Sequence, residues 1–493
     1  MQPGLLLEIF FQLMYNQKAH FLEGIIMTDK NKELNTEAGV PITENKMGYM
    51  PIRPLMLSMS LPAIISMTIN ALYNIVDSYF VARISEDALT AVSIIMPLQM
   101  MIIAVGVGTG VGINSLISRR LGARRQEDAD KAATTGIILG VFNWIVFMLA
   151  GLLLPGIFVG AYAEPGTYIY DAASKYLMIV FCGSFFIFVQ VNIEKILQAT
   201  GNMKAPMICS MSGAITNVIL DPIMIFGLLG FPKLGVVGAA IATVIGQVVG
   251  FTIGVIILFG KRNKDKHLVN IKFKGFRLEG KIIKEIYQVG LPSIIMQSIA
   301  SVMNVLYNMI LVSYSTTAVA VLGVYFKIQS FVFMPVFGLN QGVLPIIGFN
   351  FGARNKERVK EARREAIRFA LIFMVIGLAL FQLIPDKLLM IFDASPKMLE
   401  YGVPALRIIS INFIPAAFGI MNGTVFQATG HGVYSLICSF IRQLIGIVPF
   451  AYLLAKIGGV TLSWFSFPIG EVLGLIYSFW MLNKLMKTEI DTL

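Results

Sequence analysis

Two carboxylates stand in sequence that offers them little company. Asp77 lies near the end of the run LPAIISMTINALYNIVDSYF, Leu61 to Phe80, and Asp221 closes SMSGAITNVILD from Ser210. Counted back from Asp77 in threes and fours, Asn74, Tyr73, Asn70 and Ser66 fall on one face of a helix. Ser210, Gly213, Asn217 and Asp221 do the same in the second run. An ionised acid inside a membrane helix costs about 2.5–3.5 kcal/mol, so such a residue is kept for a purpose. Asp77 and Asp221, with Asn74, Asn217 and Thr243 beside them, make an oxygen-rich set. That set suits uptake of a proton on one side and its release on the other, or a bound Na⁺. Pro222 follows Asp221 directly, removing one helical hydrogen bond and freeing a carbonyl nearby.

The elements that must carry these groups are apolar helices. Of 493 residues 56% are apolar and only 14% charged, and the mean hydropathy is +0.76. A soluble domain holds about 25% charged residues. The apolar residues gather in twelve blocks of about 20 or more, enough for a hydrocarbon core of about 30 Å. The expected fold is therefore an all-α polytopic membrane protein with twelve transmembrane helices. Basic residues collect after the second, sixth and eighth blocks, at Arg119 to Lys131, Lys261 to Arg277 and Arg354 to Arg364. Acids occupy the opposite loops, as Glu86, Asp87, Glu164 and Asp171. Basic loops remain in the cytoplasm, which predicts cytoplasmic termini and a multi-pass protein of the cytoplasmic membrane. Residues 1–50 read as an N-terminal tail, with an apolar piece from Leu5 to Met14 too short to span and a polar, disordered stretch from Thr28 to Asn45. Met27 is a sensible start, so residues 1–26 are expected to be an extension without a role.

The chain repeats itself. LPAIISMTINALYNIVDSYF from Leu61 lies over LPSIIMQSIASVMNVLYNMI from Leu291, an offset of 230 (291 − 61). Pro62/Pro292, Asn74/Asn304, Gln99/Gln329, Gly108/Gly338 and Gly112/Gly342 coincide, and Gly-Ala-Arg recurs at 122 and 352. Gln198-Ala199-Thr200-Gly201 returns as Gln427-Ala428-Thr429-Gly430. Recurrent polar, Gly and Pro positions exclude the chance matches that apolar composition produces. Six spans is an even number, so the copies are parallel repeats with a site expected at their interface. The expected division is an N-lobe over 51–260, a basic linker over 261–286 and a C-lobe over 287–493, the lobes facing a central cavity. The copies differ where it matters: Tyr307 stands opposite Asp77, which assigns ion coupling to the N-lobe alone.

At ALYNIVDSYFVARI, QATGN, NVILDPIMIF and GVYFKIQSFVFMPVFGLNQG the chain resembles the MATE family of multidrug and toxic-compound extrusion transporters, within it the MepA-like bacterial branch. The resemblance runs from about residue 55 to residue 485. It implies a V of two six-helix lobes and export of organic, often cationic, compounds driven by inward H⁺ or Na⁺ through alternating access. It also implies an ion site on Asp77, Asn217 and Asp221.

A drug site needs pliable apolar walls with a few polar anchors. Tyr73, Asn304, Tyr307, Tyr325, Gln329, Asn340 and Gln341 are the expected anchors among 27 Met and 35 Phe. Glu194 and Lys195 sit about a turn from a membrane face, where snorkelling accounts for them. Lys327 and Glu471 fit an internal ion pair or a transport role equally. Other engines find no support. The Gly106 to Gly112 repeat reads as close helix packing. Gly275 to Lys281, GFRLEGK, has Ile282 where a phosphate loop needs Ser or Thr and follows no strand. Cys182, Cys209 and Cys438 have no partner spacing, and His20, His267 and His431 are scattered, so neither metal nor cofactor is expected. The net charge of +11 lies in short loops without interleaved aromatics, which excludes nucleic acid. The expected partners are small-molecule drugs and membrane lipid, the chain acting as a monomer. The alternatives are a flippase of lipid-linked sugars and, in another class, a membrane enzyme acting on lipid. The first tends to carry more spans and a charged wet cavity, and the second needs a catalytic cluster that this sequence lacks.

Overall fold

A computed structural model of the chain describes residues 45–260 and 269–493. The expected start site and residues 1–44 of the expected tail fall outside them, while the end of that tail forms a short helix, Lys46–Tyr49. The described residues form helices joined by loops, without strands. The first six long helices are α1 (Ile52–Ala82), α2 (Glu86–Gly122), α3 (Gln126–Leu153), α4 (Tyr168–Ala199), α5 (Lys204–Phe226) and α6 (Val236–Phe259). The second six are α7 (Gly280–Val312), α8 (Thr316–Gly352), α9 (Lys356–Leu383), α10, α11 (Gly432–Ser463) and α12 (Ser466–Leu485). Ten of these helices are long and apolar enough to cross a membrane. An eleventh span is α10, two pieces, Pro396–Ser410 and Phe413–Ala428, bent by 48°. The 20-residue α12, interrupted by Ser466, Glu471, Ser478 and Lys484, completes the second set.

Local chemistry sets the ends. The Ser85 hydroxyl accepts the Ala88 N–H at 3.0 Å, and Glu86 and Asp87 favour the positive start of α2. Asn355 caps α9 through the Arg358 N–H at 3.2 Å. The two Gly-Ala-Arg loops turn identically, with Arg124 and Arg354 in the left-handed region at φ 59° and 56°. Helix limits recur as well. α2 and α8 both run 37 residues, and α3 and α9 both run 28.

The lobes meet through glycine, and the meeting is made twice. A Cβ on Gly108 of α2 would strike Ile294 and the Gly290 carbonyl of α7, and one on Gly338 of α8 would strike Ile64 of α1. Gly338 is Gly108 moved by 230 (338 − 108), and Ile294 is Ile64 moved by the same amount (294 − 64). Gly122 likewise abuts the Phe349 carbonyl while Gly352 abuts that of Arg119. A contact that maps onto itself when the halves are exchanged is isologous. Small residues let the backbones approach this closely, and Gly108 and Gly112 serve that purpose, as the sequence implies.

These contacts occupy the halves of α1, α2, α7 and α8 that end at the basic loops. Ser60 Oγ reaches the Leu339 carbonyl at 3.5 Å, and Ser115 Oγ donates to the Gln427 carbonyl at 2.5 Å. Arg53 Nε donates to Glu365 Oε2 at 2.9 Å. Arg358 donates to the Met47 and Met50 carbonyls at 3.0 and 2.7 Å. Beyond a long contact near mid-helix, Gln297 Nε2 to the Ala104 carbonyl at 3.4 Å, no hydrogen bond or ion pair joins the lobes in the other halves among the described residues. The stripe of α7 that touches α2 continues there as Ser301, Val305 and Val312, all exposed. A hollow of about 480 Å³ lies along it, lined by Val305, Asn308, Met309 and Val312.

Candidate functional site

Asp77 and Asp221 come together. α1 packs against α5, and the two carboxylates, one from each helix, are in hydrogen-bonding contact inside the N-lobe. Asp221 is fully buried, and one oxygen of each acid has no protein partner. Asn217, one turn before Asp221, donates to Asp221 Oδ2 at 2.8 Å and accepts from the Thr243 N–H and hydroxyl at 3.0 and 3.2 Å. That orientation of the amide satisfies both neighbours at once. Two carboxylates in contact repel unless one proton or one cation lies between them. The unpartnered carboxylate oxygens and the Thr243 hydroxyl form a hard oxygen surround that suits either, and the Asn217 N–H holds Asp221 in place beside it.

Two residues that the sequence did not assign to this pocket, Tyr176 and Gln99, complete it. The Tyr73 and Tyr176 hydroxyls both lie beside the acids and Thr243, and Gln99 Nε2 donates to Tyr176 at 3.0 Å. Tyr73, expected on the substrate wall, therefore belongs with the acids. Asn74 is exposed, and its amide donates to the Asn70 carbonyl of its own helix at 2.8 Å. It stands outside the pocket.

The expected substrate anchors separate into three groups. Asn304, Gln329 and Asn340 are half-buried, and Asn304 accepts from the Asn308 amide at 3.2 Å. Tyr307 and Tyr325 lie wholly inside the C-lobe. The Tyr307 ring stacks on Trp464 at 5.9 Å, its hydroxyl donates to the Ser463 carbonyl at 3.0 Å, and Tyr325 packs on Phe326, Phe381 and Phe467. Both face the lobe core, which corrects their placement on the cavity wall. Gln341 binds the lobes together: its Oε1 accepts from Lys195 Nζ at 3.0 Å and from Gln198 Nε2 at 3.3 Å. Lys195 also donates to Gln198 at 3.0 Å and is buried, so it points inward and does not snorkel. Glu194 accepts from Gln190 at 2.9 Å and Ser210 at 3.1 Å.

In the C-lobe Glu471 pairs with Arg442 at 3.5 Å, within the π-helical stretch Ile441–Ile447. Lys327 lies over the Phe392 ring at 6.0 Å. Glu471 is thus one half of an internal ion pair, whose other half is Arg442. No group of three or more His, Cys, Asp or Glu side chains that could hold a metal occurs among the described residues.

The comparisons agree with this architecture. Over 425 residues the chain is 27% identical to the multidrug export protein MepA of Staphylococcus aureus (strain bovine RF122 / ET3-1), covering 86% of this chain and 92% of that one. It is 25% identical over 417 residues to MepA of Staphylococcus haemolyticus (strain JCSC1435), covering 84% and 90%. A multidrug resistance MATE family transporter of the MOP superfamily in an outward-facing conformation superposes with a TM-score of 0.82 at 28% identity, over 91% of this chain and 98% of that one. A MOP superfamily transporter from Pyrococcus furiosus, described as having a binding pocket of reverse polarity, gives 0.82 at 27%, over 90% and 97%. The MatE family model matches twice, at residues 62–223 and 292–453, once in each repeat. With both halves of its duplicated bundle matched, the chain belongs to the MatE family of transporters.

Proposed function

We propose that this protein is a secondary active antiporter that exports organic, often cationic, compounds in exchange for H⁺ or Na⁺. The reading rests above all on the paired carboxylates of Asp77 and Asp221, enclosed in one lobe of a duplicated bundle. Entry of one ion between them removes the repulsion, and its departure restores it. The state of the pair thereby biases how α1 and α5 sit against each other. α1 also carries Ser60 and Ile64, which seat on α8 of the other lobe, so a shift of α1 reaches the inter-lobe contact. With basic loops in the cytoplasm, the joined halves face inward and the open halves face outward. The ion enters from outside, the lobes rock, and cargo held on the half-buried Asn304, Gln329 and Asn340 is exposed on alternate sides. An inward ion gains about 2.3 kcal/mol per charge per 100 mV, which drives a neutral cargo uphill, while a monovalent cation exchanged one for one is driven by the ion's concentration gradient. The relatives named for multidrug export support the cargo class.

Efflux of a cationic dye from proteoliposomes, under separately imposed pH and Na⁺ gradients, tests this. Asp77→Asn and Asp221→Asn are each expected to lower gradient-driven efflux at least tenfold while leaving dye binding within about threefold. Undiminished efflux in both variants removes the assignment, and the gradient that drives the wild type names the ion.

A further inference from the structure

A cleft of about 470 Å³ opens at the basic face of the C-lobe, between α9, α10 and the residues after α12. Lys360, Arg363, Arg364 and Arg368 of α9 line it. Arg368 stands twelve residues into the helix, about 18 Å from its start. The cleft thus descends from the rim into the apolar span, where Ile367, Leu371 and Phe418 form its wall.

The charges are unevenly matched. Lys360 Nζ pairs with Asp491 at 2.6 Å and Arg368 Nη1 with Glu365 at 2.5 Å. Glu365 is already shared with Arg53. Among the described residues Arg363 donates only to the neutral Asn422, Nε to Oδ1 at 3.1 Å. Arg364 is exposed and has no hydrogen bond or ion pair among the described residues. Two adjacent guanidiniums therefore lack a countercharge directly above an apolar trench. A free anion would satisfy the rim and leave the trench wet. An anionic amphiphile fills both, and basic pockets between membrane helices attract such headgroups.

We propose that this cleft binds an anionic membrane phospholipid, its phosphate on Arg363 and Arg364 and an acyl chain along Ile367, Leu371 and Phe418. The site lies apart from the acid pocket and does not depend on the transport reading.

The full chain in nanodiscs of phosphatidylcholine doped with phosphatidylglycerol, analysed by native mass spectrometry, provides the test. Wild type is expected to retain phosphatidylglycerol in preference to phosphatidylcholine. Arg364→Gln should lower retention about fivefold, as expected for one basic contact with a membrane surface. Arg364→Lys should keep most of it, and Leu371→Ser should lower it without touching a charge. Lys274→Gln, which removes one charge from an exposed loop outside the cleft, should have no effect. Equal loss in Lys274→Gln, equal retention of the two lipids, or full displacement by millimolar inorganic phosphate would each overturn the proposal.

Discussion

At the scale of single residues, the acid pocket is finished by groups the acids themselves do not announce. Tyr176 holds its hydroxyl beside Asp77 and is itself held by Gln99. Tyr176→Phe is expected to weaken the coupling ion's apparent affinity threefold to tenfold, with maximal efflux changed less than twofold, in the proteoliposome assay. The change removes one oxygen contact and leaves the acids in place. A second residue-scale prediction concerns the loop before α11. His431 Nε2 meets Glu489 at 3.0 Å, its Nδ1 faces the Thr429 hydroxyl at 3.2 Å, and its ring stacks on Tyr434. Burial holds this imidazole below its usual range, Glu489 opposes, and Arg119 pushes further down. The folded chain thus favours the neutral form. Its contribution to stability is complete above the unfolded value of about 6.5 and is lost as pH falls through the folded value. Tm should be level from pH 8 to 7 and decline below about 6.5, and His431→Gln should blunt that decline. Asp77, Asn217, Asp221 and Thr243 were legible in the sequence because a carboxylate in an apolar run has few explanations. Tyr176 and Gln99 were not, since one polar group on a long apolar helix carries no sign of which neighbour it meets. Tyr307 and Tyr325 failed for a related reason: helical spacing groups residues on a face without saying whether that face looks at the cavity or the lobe.

At the scale of elements, the repeat was readable to the residue because glycine cannot be exchanged where two backbones touch. The ideal Cβ of Gly338 would stand 2.7 Å from the Ile64 backbone, and that of Gly108 would stand 2.8 Å from the Ile294 backbone. Gly108→Ala and Gly338→Ala should therefore destabilise the protein by similar amounts, about 1–3 kcal/mol each, read as matched losses of Tm. A markedly unequal pair would mean that the two contacts are not equivalent. The limits of α2 and α8 followed the same repeat. The break in α10 did not, because its partner α4 runs unbroken for 32 residues and the bend of 48° arises only in the second copy. Arg442 and Glu471 likewise lie on different helices, and their pairing needed the packing of α11 against α12 to become visible.

For the whole molecule, the decisive asymmetry is between two ends of one interface. The basic-side halves of α1, α2, α7 and α8 hold the lobes by backbone contact, and Lys195 of α4 with Gln341 and Ser115 with Gln427 of α10 add to it. Past the long Gln297–Ala104 contact near mid-helix, the other halves hold them with no polar bond among the described residues. At the recurring Gln-Ala-Thr-Gly reversals the opposite lobe grips the Gln198 side chain through Gln341 and the Gln427 backbone carbonyl through Ser115. It also follows that each half owns both sides of the seam, since the first carries Ile64 as ridge and Gly108 as groove. Produced alone, residues 46–260 would be able to clasp a second copy of themselves in the way the halves clasp each other. Such a pair would carry two acid pockets in place of one, and size-exclusion with light scattering of the isolated half would reveal it as a dimer that Gly108→Leu splits into monomers.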